Sequence, residues 1–155
     1  MSSDDGRRIV IRNRKARHEF EILDTWEAGL VLEGSEVKSL REGDASFTDA
    51  FALVEDGEVW LHNLHISPYE KAGPDAPDPG RTRKLLLHRS QIEKLAVETQ
   101  QRGRTLVPLD LYFRDGYAKV TLALAEGKKL HDKREDLKRE AMRREAEREI
   151  QKYGG

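Results

Sequence analysis

The same punctuation occurs twice in this chain. Glu55-Asp56-Gly57 separates the strand-like runs 50–54 and 58–66, and Arg114-Asp115-Gly116 separates the alternating runs 105–113 and 117–124. An Asp-Gly pair accepts positive φ at two successive positions, and a turn of that kind matches the twist of the strands on either side. Two such hairpins commit much of the chain to local antiparallel pairing, because parallel strands need a long crossover that is absent at both places.

The rest of the first 127 residues fits around those hairpins. Residues 20–23 and 30–32 read as short strands joined through Gly29. Ser35 is placed to cap a two-turn helix with Val37 and Leu40 on one side and Gly43 as its terminator. Ser90-Gln91-Ile92-Glu93 has the form of a capping box, opening a helix with the face Ile92, Leu95, Ala96 and Thr99 that Gly103 ends. Residues 67–80, rich in Pro, Gly and Asp, read as a mobile loop. About six short strands and a few short helices, never in a repeating βαβ order, predict a mainly β, antiparallel, OB-fold-like barrel with two or three short helices.

Hydrophobic and charged residues each make up 37% of the chain, so the core must be small for 155 residues and part of the chain must stay in water. The sequence divides accordingly into a flexible arm over 1–12, a barrel over 13–127 and a charged tail over 128–155. In the tail Leu130, Leu137 and Ala141 share one helical angle while Met142, Ala146 and Ile150 lie opposite, so no wide apolar stripe exists to dock it on the barrel. Glu135 with Arg139 and Glu140 with Arg144 add only about 0.2–0.5 kcal/mol each. The tail is expected to be disordered when free and helical when held.

Several functions are excluded on chemistry. The chain has no cysteine, which removes disulfides, thiolate zinc sites, iron–sulfur clusters and a cysteine nucleophile, and which fits a reducing cytoplasm. Residues 1–8 are polar with no apolar stretch behind them, and no run approaches the ~18 apolar residues of a membrane span, so neither a signal peptide nor an anchor is predicted. There is no nucleophile elbow, phosphate-binding glycine loop, dinucleotide fingerprint or zinc-helix motif. His62 and His65, three apart on a strand, point to opposite faces and do not share a metal. No cofactor, metal, membrane or small-molecule substrate is expected, and binding is favoured over catalysis.

Charge identifies the kind of partner. The formal net charge is −1, but the segments differ: residues 1–17 hold six basic and two acidic side chains, and 81–89 hold four basic and none acidic. Residues 126–155 hold ten basic and eight acidic, whereas 18–80 hold three basic and fifteen acidic. Cations gathered in both ends and one internal stretch are the pattern of a protein that grips a polyanion at selected places. In Arg81-Thr82-Arg83-Lys84-Leu85-Leu86-Leu87-His88-Arg89, phosphate contacts could hold an RNA backbone while Leu86 or His88 meets a base; a strand entering the core with solvated flanks explains the same composition. A generic single-stranded nucleic-acid-binding OB module is the alternative function, although exposed stacking aromatics are scarce.

The blocks Asn13-Arg14-Lys15-Ala16-Arg17-His18-Glu19-Phe20, Glu27-Ala28-Gly29, Gly34-Ser35-Glu36-Val37-Lys38-Ser39-Leu40-Arg41, Arg81 to Leu87 and Gly127-Lys128-Lys129-Leu130-His131-Asp132-Lys133-Arg134 occur in an order and spacing that resemble the SmpB, or SsrA-binding protein, family. That resemblance covers residues 13–134. It implies a bacterial ribosome-rescue factor of trans-translation: an OB-fold protein that binds the tRNA-like domain of transfer-messenger RNA (tmRNA, SsrA RNA). Together with elongation factor Tu it would deliver that RNA to stalled 70S ribosomes. The tail would become a helix in the vacant mRNA channel. Residue by residue, the resemblance implies RNA contacts from Glu27, Leu86 and His88, assisted through phosphates by Lys119 and by Arg81, Arg83 and Lys84 of the basic stretch. Glu27 suits a base-reading role, since a carboxylate accepts from base amino groups; an ordinary surface acid at a strand end would look the same. Ribosome contacts are implied for Lys128, Lys129, His131, Asp132, Lys133 and Arg134; a salt-bridged helix start is the plain structural explanation of the motif, and beyond the resemblance Met142 and Ile150 are the candidate apolar anchors of the tail in the ribosome. His88 stands where some members have Asn, and a neutral imidazole can donate and accept as an amide does. In the free protein, NMR signals from about Glu135 onward are expected to be sharp and random-coil; slow amide exchange there in a monomer would refute this.

Overall fold

A computed structural model describes residues 6–127. In chain order the elements are β1 (Arg7–Arg12), α1 (Arg14–Glu19), β2 (Phe20–Leu30), α2 (Gly34–Arg41), β3 (Ala45–Glu55), β4 (Glu58–Ile66), a short 3₁₀ segment (Glu70–Asp75), β5 (Arg83–Leu86), α3 (Arg89–Glu98), β6 (Arg104–Arg114) and β7 (Tyr117–Gly127). All strand pairings are antiparallel and run β1-β6-β3-β4-β5-β2-β7. A further β6–β7 pairing closes six of the strands into a barrel. The predicted OB-like antiparallel barrel is the observed architecture. Among the described residues no helix is long and apolar enough to cross a membrane.

Both hairpins turn where the Asp-Gly pairs stand. Asp56 and Gly57 have φ of 52° and 75°, and Asp115 and Gly116 have 51° and 84°, the doubly positive pattern that joins twisted strands tightly. The strands are longer than the sequence pattern indicates because pairing extends past the alternating cores, through Arg114↔Tyr117 at the turn and Arg104↔Glu126 at the far end.

Other elements correct the sequence reading. The proposed arm over 1–12 is a strand from Arg7 onward: β3 touches β6 through Ala52↔Leu106, and β1 takes the edge of β6 beyond it, from Arg12↔Asp110 to Arg7↔Arg114. Residues 20–30 form one continuous strand, with Gly29 inside it rather than between two. α1 had no apolar periodicity to reveal it; it is nucleated by the Asn13 side chain, which accepts from the Ala16 N–H at 3.1 Å. α2 is capped by Glu33, whose N–H donates to Glu36 Oε1 at 2.9 Å, rather than by Ser35. α3 starts two residues earlier than the Ser90 box, with His88 as its cap and the His88 N–H donating to Gln91 Oε1 at 2.9 Å. The helix ends at Glu98, well before Gly103.

The barrel interior is filled by residues from every layer, including Ala28, Leu61, Leu85, Leu95, Leu106, Leu111 and Leu122. A second cluster lies outside it, where α1 sets Ala16 against Val107, Leu109, Ala123 and Ala125. β6 is therefore buried on both faces from Leu106 to Phe113, which explains its nearly unbroken apolar sequence.

One polar group is built into the wall of the barrel. Arg83 is fully buried; its Nε and Nη2 donate to Glu36 Oε2 at 2.9 and 2.7 Å, and Nη2 also donates to the Pro79 carbonyl at 3.0 Å. Its Nη1 donates to the carbonyls of Leu64 and Arg81. Arg81 adds Nε–H to Oε2 at 3.0 Å and Nη2–H to Oε1 at 2.6 Å. Burial by itself pushes the Glu36 carboxyl up, but the bonds from Arg81, the Glu33 N–H and Arg83 outweigh it and hold the group below its ordinary value of 4.5. A depressed folded-state pKa contributes stability that is complete above 4.5 and is lost as pH falls through the folded value. Glu36→Gln is expected to cost about 3–5 kcal/mol at neutral pH, because it leaves two guanidiniums without their anion. It should also flatten the acid limb of the stability curve, as read by urea unfolding between neutral pH and pH about 3.

Candidate nucleic-acid interface

Strand alternation decides which side chains leave the barrel. On β2, Ala28 and Leu30 are buried inside, so Glu27 and Gly29 face outward. On β5, Leu85 is in the core and Leu86 stands out, 53% exposed. The two strands pair Gly29↔Leu86, and β7 on the other side of β2 pairs Gly29↔Lys119. Immediately after β5 the chain caps α3 with His88. The outcome is an open groove of about 340 Å³ lined by Glu27, Gly29, Leu86, Leu87, His88, Gln91 and Lys119. Gly29 leaves room at its floor: a Cβ there would lie 3.3 Å from the Leu86 Cβ, a tight contact that Leu86 would have to relieve by a few tenths of an ångström.

Glu27 is fixed from beneath. The Tyr112 hydroxyl donates to Glu27 Oε2 at 2.5 Å, and Arg114 Nη1 reaches the same oxygen at 2.6 Å. Tyr112 is buried on the outward parity of β6, opposite Lys119, with the guanidiniums of Arg7 and Arg114 over its ring at 5.2 and 5.8 Å. Burial, reinforced by Glu27, pushes the phenol up to about 12, so it remains a donor at neutral pH.

Of the seven RNA-facing residues expected from the sequence, the fold brings four together: Glu27, Leu86, His88 and Lys119. The other three are placed elsewhere. Arg83 is a correction, since a fully buried guanidinium satisfied by Glu36 and three carbonyls has no surface to offer a phosphate. Arg81 is tied to the same carboxylate with its side chain 30% exposed, and Lys84 Nζ donates to Glu58 at 2.6 Å. The basic stretch is thus mostly internal ion pairing, with Arg89 the cation that projects into solvent. The expected tail contacts Lys128, Lys129, His131, Asp132, Lys133, Arg134, Met142 and Ile150 lie outside the described residues. Sequence reasoning did not single out Tyr112, Arg114 or Gln91. The one signal for Tyr112 was its parity: a large polar-tipped side chain between the core residues Leu111 and Phe113.

A second depression of about 230 Å³ lies between α1, β3 and β6, lined by Phe20, Phe47 and Phe51, with Lys15 bonded to Asp49 at 2.6 Å beside it. None of the expected RNA-facing residues lines it. His62 stacks on Phe51 at 4.9 Å, an ordinary packing role for that histidine.

The SmpB protein family profile matches residues 10–152. The chain belongs to the SmpB family. The SsrA-binding protein of Geobacillus thermodenitrificans (strain NG80-2) is 54% identical over 98% of this chain and 95% of its own length. That of Saccharopolyspora erythraea is 53% identical over 100% of this chain and 96% of its own length. Among solved structures, one reported as "tmRNA-SmpB: a journey to the center of the bacterial ribosome" is similar at a TM-score of 0.65 and 55% identity, covering 76% of this chain and 83% of that one.

The two faces of β5 give a direct test of the geometry. Leu85→Ala is expected to cost about 2–5 kcal/mol through an unfilled core site, whereas Leu86→Ala, one residue on, should change stability by no more than about 0.5 kcal/mol. Denaturant unfolding of both variants checks it.

Proposed function

We propose that this chain is an RNA-binding factor of ribosome rescue. It holds the tRNA-like domain of tmRNA and brings that RNA to stalled ribosomes in trans-translation. The observation that carries this reading is the convergence of Glu27, Leu86, His88 and Lys119, drawn from three strands and a helix start, on one open groove. Each has a separate task. Lys119 attracts phosphate, Leu86 offers an exposed apolar surface to a base or ribose, His88 can stack or hydrogen-bond, and Glu27 accepts from base N–H donors. A carboxylate in a site for a polyanion lowers affinity for phosphate alone, so its presence favours recognition of a particular RNA shape over generic capture.

Further steps belong to the same proposal. The protein acts in the cytoplasm by binding and performs no reaction of its own. Elongation factor Tu joins through the tmRNA complex. The segment beginning Lys128, Lys129, His131, Asp132, Lys133 and Arg134 contacts the 70S decoding centre, with Met142 and Ile150 as apolar anchors in the empty mRNA channel. A generic single-strand-binding module is disfavoured because exposed stacking platforms are scarce: among the described residues Tyr117 is the one exposed aromatic, while Tyr112 and Phe113 are buried and Trp26 packs against the core.

A gel shift with the tRNA-like domain tests the proposal, with an unrelated hairpin as reference; equal affinity for the two would end it. Truncation after Gly127 is expected to leave that binding within about twofold and to abolish peptide tagging in a reconstituted stalled-translation assay. Loss of RNA binding on truncation would move the boundary of the RNA-binding unit.

A further inference from the structure

The groove contains an acid where the ligand is a polyanion, and the acid is braced from inside the protein. Both braces, the Tyr112 hydroxyl at 2.5 Å and Arg114 Nη1 at 2.6 Å, fall on Oε2. Neither takes Oε1, while the carboxylate lines the groove and keeps about a third of its side chain in solvent. The brace is itself rigid. Tyr112 is 2% exposed, is paired with Lys119 of β7 two residues before the end of β6, and is covered by two guanidiniums. An unbraced glutamate at an exposed strand position samples several rotamers and must be ordered by its ligand; one held on a single oxygen presents the other in a set direction before the ligand arrives.

We propose that Tyr112, with Arg114, is a positioning residue for RNA recognition: by occupying Oε2 of Glu27 it aims Oε1 at a base N–H donor of the RNA in the groove. This rests on the groove being the RNA site. The phenol keeps its proton at neutral pH, with a pKa pushed up to about 12, so Tyr112 donates to the carboxylate. The pair then acts on selectivity more than on general attraction. A misaimed carboxylate loses its base contact yet still repels phosphate, so the specific RNA is penalised while an unrelated RNA is not.

A double-mutant cycle on the full chain tests this, with the transcribed tRNA-like domain of tmRNA and an unrelated hairpin of equal length as probes. Tyr112→Phe keeps the ring and deletes the donor. It is expected to weaken binding of the tRNA-like domain on the order of tenfold and to leave the hairpin within about twofold. Glu27→Gln should lose at least as much, and adding Tyr112→Phe to Glu27→Gln should change affinity by no more than about twofold. A merely structural tyrosine would instead lower the thermal midpoint and add its full effect on top of Glu27→Gln. Unchanged affinity in Tyr112→Phe, or full additivity, overturns the inference. Unchanged affinity in Glu27→Gln overturns the reading beneath it, so the two failures are distinguishable. Should Tyr112→Phe not fold, Arg114→Gln removes the other brace on Oε2 and is judged by the same outcomes, with the hairpin correcting for the lost charge.

Discussion

The buried contact between Arg83 and Glu36 governs both the barrel and the groove. β5 is the shortest strand, four residues, and it must bridge β4 and β2 to close the sheet. So short a strand has few ladder bonds of its own. Its first residue is anchored by the guanidinium, which reaches α2 through Glu36, β4 through the Leu64 carbonyl and the preceding loop through Pro79. A charge removed from water at this position is costly, and here each donor has an acceptor in reach. Leu86 and His88 inherit their positions from that anchor.

On the outer side of the same strand the requirements reverse. The core asks Leu85 to be apolar and inward, which sends Leu86 outward whatever its chemistry. Gly29 leaves room for the Leu86 side chain, and Lys119 and Glu27 follow from the register of β2 with β7. The interface is thus a by-product of pairing geometry to which particular side chains have been added. The groove sits on strands with buried inner faces, so its shape is held by the barrel itself.

Charge shows where counting along a chain misleads. The stretch 81–89 is the most one-sidedly basic part of the region 18–125, and the surrounding acids appear as an opposing field. In three dimensions those acids include its partners: Glu36 takes Arg81 and Arg83, and Glu58 takes Lys84. Two segments of opposite sign that fold against each other cancel, and of the stretch itself only Arg89 projects well into solvent, while Lys119 lines the groove from β7. Net segment charge measures attraction only for groups that remain in solvent.

The hairpins, the antiparallel character and the small core were legible in the sequence, because Asp-Gly turns and alternating strands are local consequences of backbone sterics and burial. The family motifs likewise marked Glu27, Leu86, His88 and Lys119 without any coordinate. Local rules could not show that residues 7–12 are a strand, since its partner is a hundred residues away, nor that Arg83 is interior, since its anion lies on a helix 47 positions earlier. They were equally silent on Tyr112 and Arg114 beneath Glu27, 85 and 87 residues on. Periodicity and turn chemistry report interactions between neighbours in the chain. Long-range pairing of charges and hydroxyls depends on how the barrel closes, and tertiary structure alone decided it.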